Sequence, residues 1–218
     1  MTPTESAAAK PQLITPTFVL AWVANFCQFL VFYLFVTTMA LYAVESFGAS
    51  DTVGGFASSA FVLGATCMRV FSGWIVDRVG HKKAALTSLA FVTVVAVAYF
   101  FAHNVAVLII VRMVHGAGYA LTSTALMAVA QSVIPHERRA EGTGYFALGT
   151  TLATAFGPAI GLLLANNIGY TTLFAVALGA NIVSLILALV LRYPAEVSSE
   201  KPAFKLRNAV HPNVVPIG

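Results

Sequence analysis

The sequence predicts an all-α integral membrane protein with six transmembrane helices. Of its 218 residues, 59% are hydrophobic and only 9% are charged, whereas a soluble domain carries about 25% charged residues. Mean hydropathy is +0.85. A spanning helix needs about 20 apolar residues, so the chain has room for about six. Lys and Arg residues also lie at both ends of the apolar part of the chain and in alternate loops between its segments. They share one side of the membrane only if the number of spans is even.

Short polar loops divide the apolar part of the chain into six segments. We predict a transmembrane bundle over residues 17–191, with spans at 17–43, 52–76, 84–102, 105–132, 142–165 and 171–191. Residues 1–16 are polar and lack the basic start and apolar core of a signal peptide, so we expect a disordered cytoplasmic tail. Residues 192–218 are polar and Pro-rich before they turn apolar. We expect a cytoplasmic linker leading to the start of a missing seventh span.

The loop charges predict the orientation of the bundle. With six spans, one side carries Lys10, Arg78, Lys82, Lys83, Arg138, Arg139, Arg192, Lys201, Lys205 and Arg207. The other side has acidic and neutral polar residues and no Lys or Arg. Cytoplasmic loops are enriched in Lys and Arg, so both ends should be cytoplasmic in a multi-pass protein of the cell inner (plasma) membrane. Because the basic residues are scattered over separate loops, nucleic acid is not an expected partner.

The loop between spans 2 and 3 carries the most informative stretch. It reads Gly73-Trp-Ile-Val-Asp77-Arg78-Val-Gly80-His81-Lys82-Lys83. Arg69, Gly73 and Asp77 are spaced at four and eight residues, so they share one helix face. They could form a charged latch to a neighbouring bundle at the inner gate. Alternatively, Arg69 extends to the headgroups and the stretch is an ordinary basic inner loop.

Polar residues inside spans 1 and 4 are the candidate pathway. A charge within a span is costly, and Arg112 lies about 10 Å along span 4. Helical spacing places the candidates on one face of each span: Arg112, His115, Gly116, Tyr119 and Ser123 on span 4, and Asn25, Gln28 and Phe32 on span 1. These faces could line a water-filled route for substrate or protons. The alternative is that they make interhelical hydrogen bonds only.

Other site chemistry finds little support in the sequence. Cys27 and Cys67 lie in apolar segments without metal-ligand spacing, so we expect buried free thiols and no metal site. The five His residues are scattered between loops, one span and the C-terminal tail. A membrane enzyme needs a constellation of reactive groups, so an enzyme is not expected.

Four motifs in this order resemble the major facilitator superfamily. The span 2–3 stretch resembles its Gly-x-x-x-Asp-Arg-x-Gly-Arg-Lys/Arg loop. Arg112-Met-Val-His115-Gly116-Ala-Gly118 looks like its fourth-helix pattern. The loop over residues 134–142 resembles the Pro-x-x-x-Arg loop before the fifth helix through Pro135 and Arg139. Span 5 is similar to the pattern of the drug/proton antiporter-like branch, through Gly144, Gly157, Pro158 and Gly161. The resemblance covers essentially the whole chain.

This resemblance implies a twelve-helix transporter, of which the chain would be the N-terminal half. Such a half contains two inverted three-helix repeats. The implied function is export of a small molecule by alternating access, with protons as the coupling ion and no cofactor. The implied partners are the lipid bilayer, the small-molecule substrate, and a missing C-terminal half or a second copy. The titrating group would be His115, Glu45 or an acid in the other half. The alternative is a non-transporting fragment or half-size subunit that acts only through helix association.

Overall fold

A computed structural model describes residues 11–193, and within them all regular structure is helical. The predicted six spans are confirmed, each with boundaries within four residues of the expected ones. The helices are α1 (Pro16–Phe47), α2 (Asp51–Val79), α3 (His81–Ala98), α4 (Val105–Val133), α5 (Arg139–Asn167) and α6 (Tyr170–Val190), with 3₁₀ turns at Tyr99–Phe101 and His136–Arg138. All six are long and apolar enough to cross a bilayer.

Capping residues and glycines set the helix limits. The side chains of Thr15, Ser50 and Asn104 accept hydrogen bonds from the first turns of α1, α2 and α4, which satisfies backbone donors that a helix start leaves free. Gly80 follows α2 with φ +93°. This conformation favours glycine because a side chain would be strained there. Gly80 therefore ends α2 and turns the chain into α3.

Helices α1–α3 and helices α4–α6 make equivalent contacts with one another. Helices α1 and α4 lie against each other at the centre. Helix α2 packs on α4 and α5 packs on α1, while α3 packs on α4 and α6 on α1. Interchanging α1–α3 with α4–α6 maps these contacts onto one another. This pattern fits a bundle of two three-helix repeats, as the resemblance implies.

One end of the bundle collects the basic loops, and we call it the basic face. It comprises the α2–α3 and α4–α5 loops, the start of α1 and the end of α6. Lys82 Nζ lies 5.8 Å from the centre of the Tyr193 ring, so it joins α3 to the residues after α6. The Tyr193 hydroxyl donates to the Ala188 carbonyl at 3.1 Å. Desolvation raises the pKa of Tyr193 to about 12, so this donor keeps its proton at physiological pH.

The segment before α1 is also held at the basic face. Arg138 makes a bidentate pair with Glu141 and donates to the Pro11 carbonyl at 2.8 Å. Leu13 is only 2% exposed and packs with Phe18 in an apolar cluster. Residues 1–10 of the predicted tail, and residues 194–218 of the predicted linker, lie outside the described residues.

Candidate functional site

Two glycines allow α2 and α4 to cross with their backbones in contact. A Cβ atom added at Gly64 would overlap the Met113 carbonyl oxygen, and one added at Gly116 would overlap that of Phe61. Only glycine permits such an approach. The crossing places the α2 backbone directly against the polar face predicted on α4.

Arg112 lies at this crossing and is completely buried, with 0% exposure. Its Nη2 donates to the Ser58 carbonyl at 2.7 Å and its Nε to the Ala57 carbonyl at 3.4 Å. Its Nη1 is buried and has no hydrogen-bond partner. The guanidinium lies over aromatic rings, 5.0 Å from the centre of Phe61 and 5.9 Å from that of Phe35. Within residues 11–193 no carboxylate pairs with it, so its charge is balanced by carbonyl dipoles and ring faces.

His115 lies one turn beyond Arg112 and is 1% exposed. Its Nδ1 is 3.0 Å from the Tyr99 hydroxyl, and its ring lies edge-on to Phe61 and Phe35. Arg112 is close enough to act on it electrostatically. Protonating His115 would therefore place a second cation beside Arg112 inside the bundle. The free-energy cost of protonating His115 therefore depends on whether the Arg112 guanidinium stays beside it.

Next to this pair, aromatic side chains form a partly exposed surface that we call the aromatic wall. Tyr119 has its ring centre 5.2 Å from Phe61, 5.5 Å from Phe29 and 5.9 Å from Phe32. Phe29, Phe32 and Met68 are only partly buried where they pack against this cluster. Tyr119 thus connects the polar face of α4 to a flat apolar surface on α1.

Of the polar residues predicted on span 1, Gln28 contacts α6 and not this wall. Asn25 is 3% exposed and Gln28 is 1% exposed. Gln28 Nε2 donates to Asn181 Oδ1 of α6 at 3.1 Å, and nearby Ser184 donates to the Ala24 carbonyl. Burying an amide without a partner is costly, and α6 supplies that partner. For Gln28 the geometry therefore favours the interhelical hydrogen bond over a place in the pathway, whereas Phe32 remains partly exposed.

The predicted inner-gate residues lie on an open face of α2. Arg69, Gly73 and Asp77 are all exposed, and a Cβ at Gly73 would meet nothing within 4 Å. Arg78 lies over the Trp74 ring, 5.3 Å from its centre. This face of α2 is therefore exposed, and a latch to a neighbouring bundle could form on it.

The predicted fifth-helix motif divides between packed and open positions. A Cβ at Gly157 would lie 2.5 Å from Tyr33 Cβ, and one at Gly161 would lie 2.6 Å from the Leu34 carbonyl oxygen. These glycines let α5 approach α1 as Gly64 lets α2 approach α4. Pro158 stands beside them inside α5, where it cannot donate a backbone hydrogen bond. Gly144, near the basic face, has nothing within 4 Å.

The sequence analysis missed four residues that shape this site: Gly64, Phe61, Tyr99 and Asn181. Gly64 carried a usable signal, since Ala60 and Gly64 are four apart, as are Gly116 and Ala120 on the facing helix. Small residues at that spacing mark close helix crossings. The other three had no signal, because their roles depend on contacts across the bundle. Among the described residues no group of His, Cys, Asp and Glu is placed to hold a metal ion. The prediction of buried thiols is correct for Cys27 and wrong for Cys67, which is exposed on α2.

Comparison with known proteins agrees with this architecture. The family model of the Major Facilitator Superfamily matches residues 21–216. The chain belongs to the Major Facilitator Superfamily. Among curated members, the staphylopine export protein of Staphylococcus aureus is 31% identical over 60% of this chain and 32% of its own length. The multi-drug resistance efflux pump PmrA of Streptococcus pneumoniae is 30% identical over 71% of this chain and 39% of its own length.

Solved superfamily structures share the fold. A crystal structure of the peptide transporter POT, an E310Q mutant with alafosfalin, matches 79% of this chain and 37% of its own chain. The TM-score is 0.73 and the identity 15%. The chain thus spans about a third of the length of the relatives it matches. It is a multi-pass membrane protein with the fold of one superfamily half.

Proposed function

We propose that this bundle is one half of a proton-coupled exporter of small organic molecules that works by alternating access. The observation that carries the proposal is Arg112, a fully buried guanidinium with a spare donor at Nη1. A buried charge without a carboxylate is costly. Such a charge is useful to a transporter because a proton or a substrate group that binds nearby changes the free-energy cost of burying it. Binding then favours a different conformation.

His115 is the group through which a proton could act in this half. It lies beside Arg112 and bonds to Tyr99. Glu45, the other candidate, accepts a hydrogen bond from Tyr170 at 2.7 Å near the opposite end of the bundle from the basic face. That position is far along α1 from the aromatic wall. His115 is therefore the better candidate in the described residues, and an acid in a second bundle is the remaining one.

The aromatic wall supplies the proposed substrate surface of this half. Flat rings favour apolar and aromatic compounds through area burial and ring contacts, and Arg69 lies close enough to act electrostatically on the Tyr119 hydroxyl. We expect the substrate to carry an aromatic or apolar body. The names of two relatives, a multi-drug efflux pump and a metallophore exporter, are consistent with outward transport of small molecules.

The open face of α2 suggests what completes the pathway. A latch at Arg69, Gly73 and Asp77 would join this bundle to a group outside residues 11–193. We propose a second six-helix bundle, from the same protein or a second copy, with the two bundles enclosing the aromatic wall. The basic face would lie in the cytoplasm, because Lys and Arg prefer that side.

The test is proton movement coupled to export in everted vesicles from cells that express the gene. Candidate aromatic compounds are added to acidified vesicles, and loss of the proton gradient is followed with a quenched acridine dye. We expect saturable gradient loss that Arg112→Gln and Phe32→Ala abolish. Phe101→Ala is the matched control, because Phe101 is 62% exposed and outside the wall.

Three outcomes would contradict the proposal. Gradient loss that is not saturable would indicate leakage and not exchange. Normal exchange in Arg112→Gln would make this residue structural only. Absence of any exchange, with the protein present in the membrane, would favour the alternative of a bundle that acts through helix association.

A further inference from the structure

A groove opens between α2, α3 and α4, next to the loop that joins α2 to α3. Its volume is about 140 Å³, and it is lined by Ile75, Val79, Ala84, Thr87, Ser88, Phe91 and Leu121. Its two hydroxyl groups already have partners. Thr87 Oγ1 donates to the Lys83 carbonyl at 2.7 Å and Ser88 Oγ to the Ala84 carbonyl at 2.6 Å. The lining therefore offers an apolar surface that suits a hydrocarbon chain.

Positive charge lies at the loop end of this groove. Lys83 and Thr87 are four residues apart, so they share one face of α3, and Lys83 is exposed where this face enters the loop. The dipole of α3, whose first turn has no side-chain cap, adds positive potential at this end. Arg78 stands across the loop, over Trp74. Asp77 lies on the Gly73 face of α2, away from Val79.

Lys82 serves as a comparison for Lys83. It has the same charge and lies one residue from Lys83. Its Nζ is 5.8 Å from the Tyr193 ring, so it points toward the end of α6 and away from the groove. A ligand attracted only by the total charge of the loop would lose the same affinity on replacement of either lysine.

We propose that this groove binds an anionic phospholipid, with an acyl chain along Val79 and Phe91 and the phosphate against Lys83. The loop lies at a membrane surface, where lipid is the available occupant, and charge complementarity selects the anionic kind. A basic side chain near such a surface strengthens binding roughly fivefold. A free phosphate would leave the apolar groove empty. The site is independent of the proposed transport pathway, which uses other faces of α2 and α4.

Trp74 is a reporter for this site, since it is adjacent to the groove residue Ile75. The chain has two Trp residues, so the 218-residue chain with Trp22→Phe, reconstituted in vesicles, leaves Trp74 as the only one. Quenching by brominated phosphatidylglycerol and brominated phosphatidylcholine gives their relative binding constant. We expect a preference of about fivefold for the anionic lipid. Lys83→Gln should reduce it to near one, whereas the matched control Lys82→Gln should keep it.

A second variant tests the groove apart from the charge. Thr87 is exposed, so Thr87→Phe should fill the groove without disturbing the core, and should reduce quenching by both lipids. Unchanged helicity by circular dichroism confirms folding. Equal affinity for the two lipids in the parent, or equal effects of Lys82→Gln and Lys83→Gln, would overturn the proposal. Competition by millimolar inorganic phosphate would also overturn it, because it would show a headgroup site without a chain.

Discussion

Replacing Gly64 with alanine should destabilise the bundle by separating α2 from α4. A Cβ at this position would lie 2.7 Å from the Met113 carbonyl carbon and 2.9 Å from its Cα, and nearer still to the carbonyl oxygen. All three atoms belong to the backbone, so no side-chain rotation can relieve the contact. The helices must move apart, and the bond between Arg112 and the Ser58 carbonyl must lengthen.

The expected size of this effect follows from two opposing terms. Overpacking a tight interior costs about 1–3 kcal/mol, and contact with three backbone atoms favours the upper end. Alanine also gains about 1 kcal/mol over glycine in a helix. The expected net loss is therefore about 2 kcal/mol. Gly73→Ala is the control on the same helix, because a Cβ there meets nothing within 4 Å and only the gain remains.

The measurement is reversible unfolding of the 218-residue chain in mixed micelles, titrated with sodium dodecyl sulfate and followed by circular dichroism. Gly64→Ala should unfold at a lower detergent fraction than the parent, and Gly73→Ala at an equal or higher one. Equal stability of the two variants would refute the reasoning, because it would mean that the two helices are not in backbone contact at Gly64.

Three further predictions concern the gene product in cells. Gly157→Leu should abolish exchange by wedging α5 away from Tyr33, while binding of substrate measured by equilibrium dialysis persists; loss of both together would place Gly157 in the site or indicate misfolding. Asp77→Asn should lower transport in everted vesicles while the amount of membrane-inserted protein stays near normal, and unchanged transport would leave Asp77 with no gating role. A single Cys label at Asn104 should react from outside and one at Arg138 only from inside, and the reverse pattern would contradict the predicted orientation.

The sequence was most informative about features that depend on residues close together in the chain. The six spans follow from runs of apolar residues. The polar face of α4 also follows from helical spacing alone, since Arg112, His115 and Tyr119 are all buried along it. In each case the physical cause lies within one helix or loop.

The sequence was less informative where the answer depends on a second helix. Gln28 and Phe32 share one face of span 1, yet one bonds to Asn181 of α6 and the other is partly exposed in the aromatic wall. The spacing of a helix face predicts which residues go together but not which neighbour they meet. Gly64 shows the same limit, since its importance comes from the Met113 backbone on another helix.

The most direct test of the account is the accessibility of the aromatic wall from the two sides of the membrane. In the gene product with Cys27 and Cys67 replaced by Ser, a membrane-impermeant maleimide is applied to right-side-out and to everted vesicles carrying Phe32→Cys. Ser184→Cys is the control, because Ser184 is 0% exposed between α6 and α1. Alternating access predicts labelling of Phe32→Cys from both sides, with the balance shifted by a proton gradient, and no labelling of Ser184→Cys. Labelling of Phe32→Cys from neither side, or from one side under all conditions, would contradict the account.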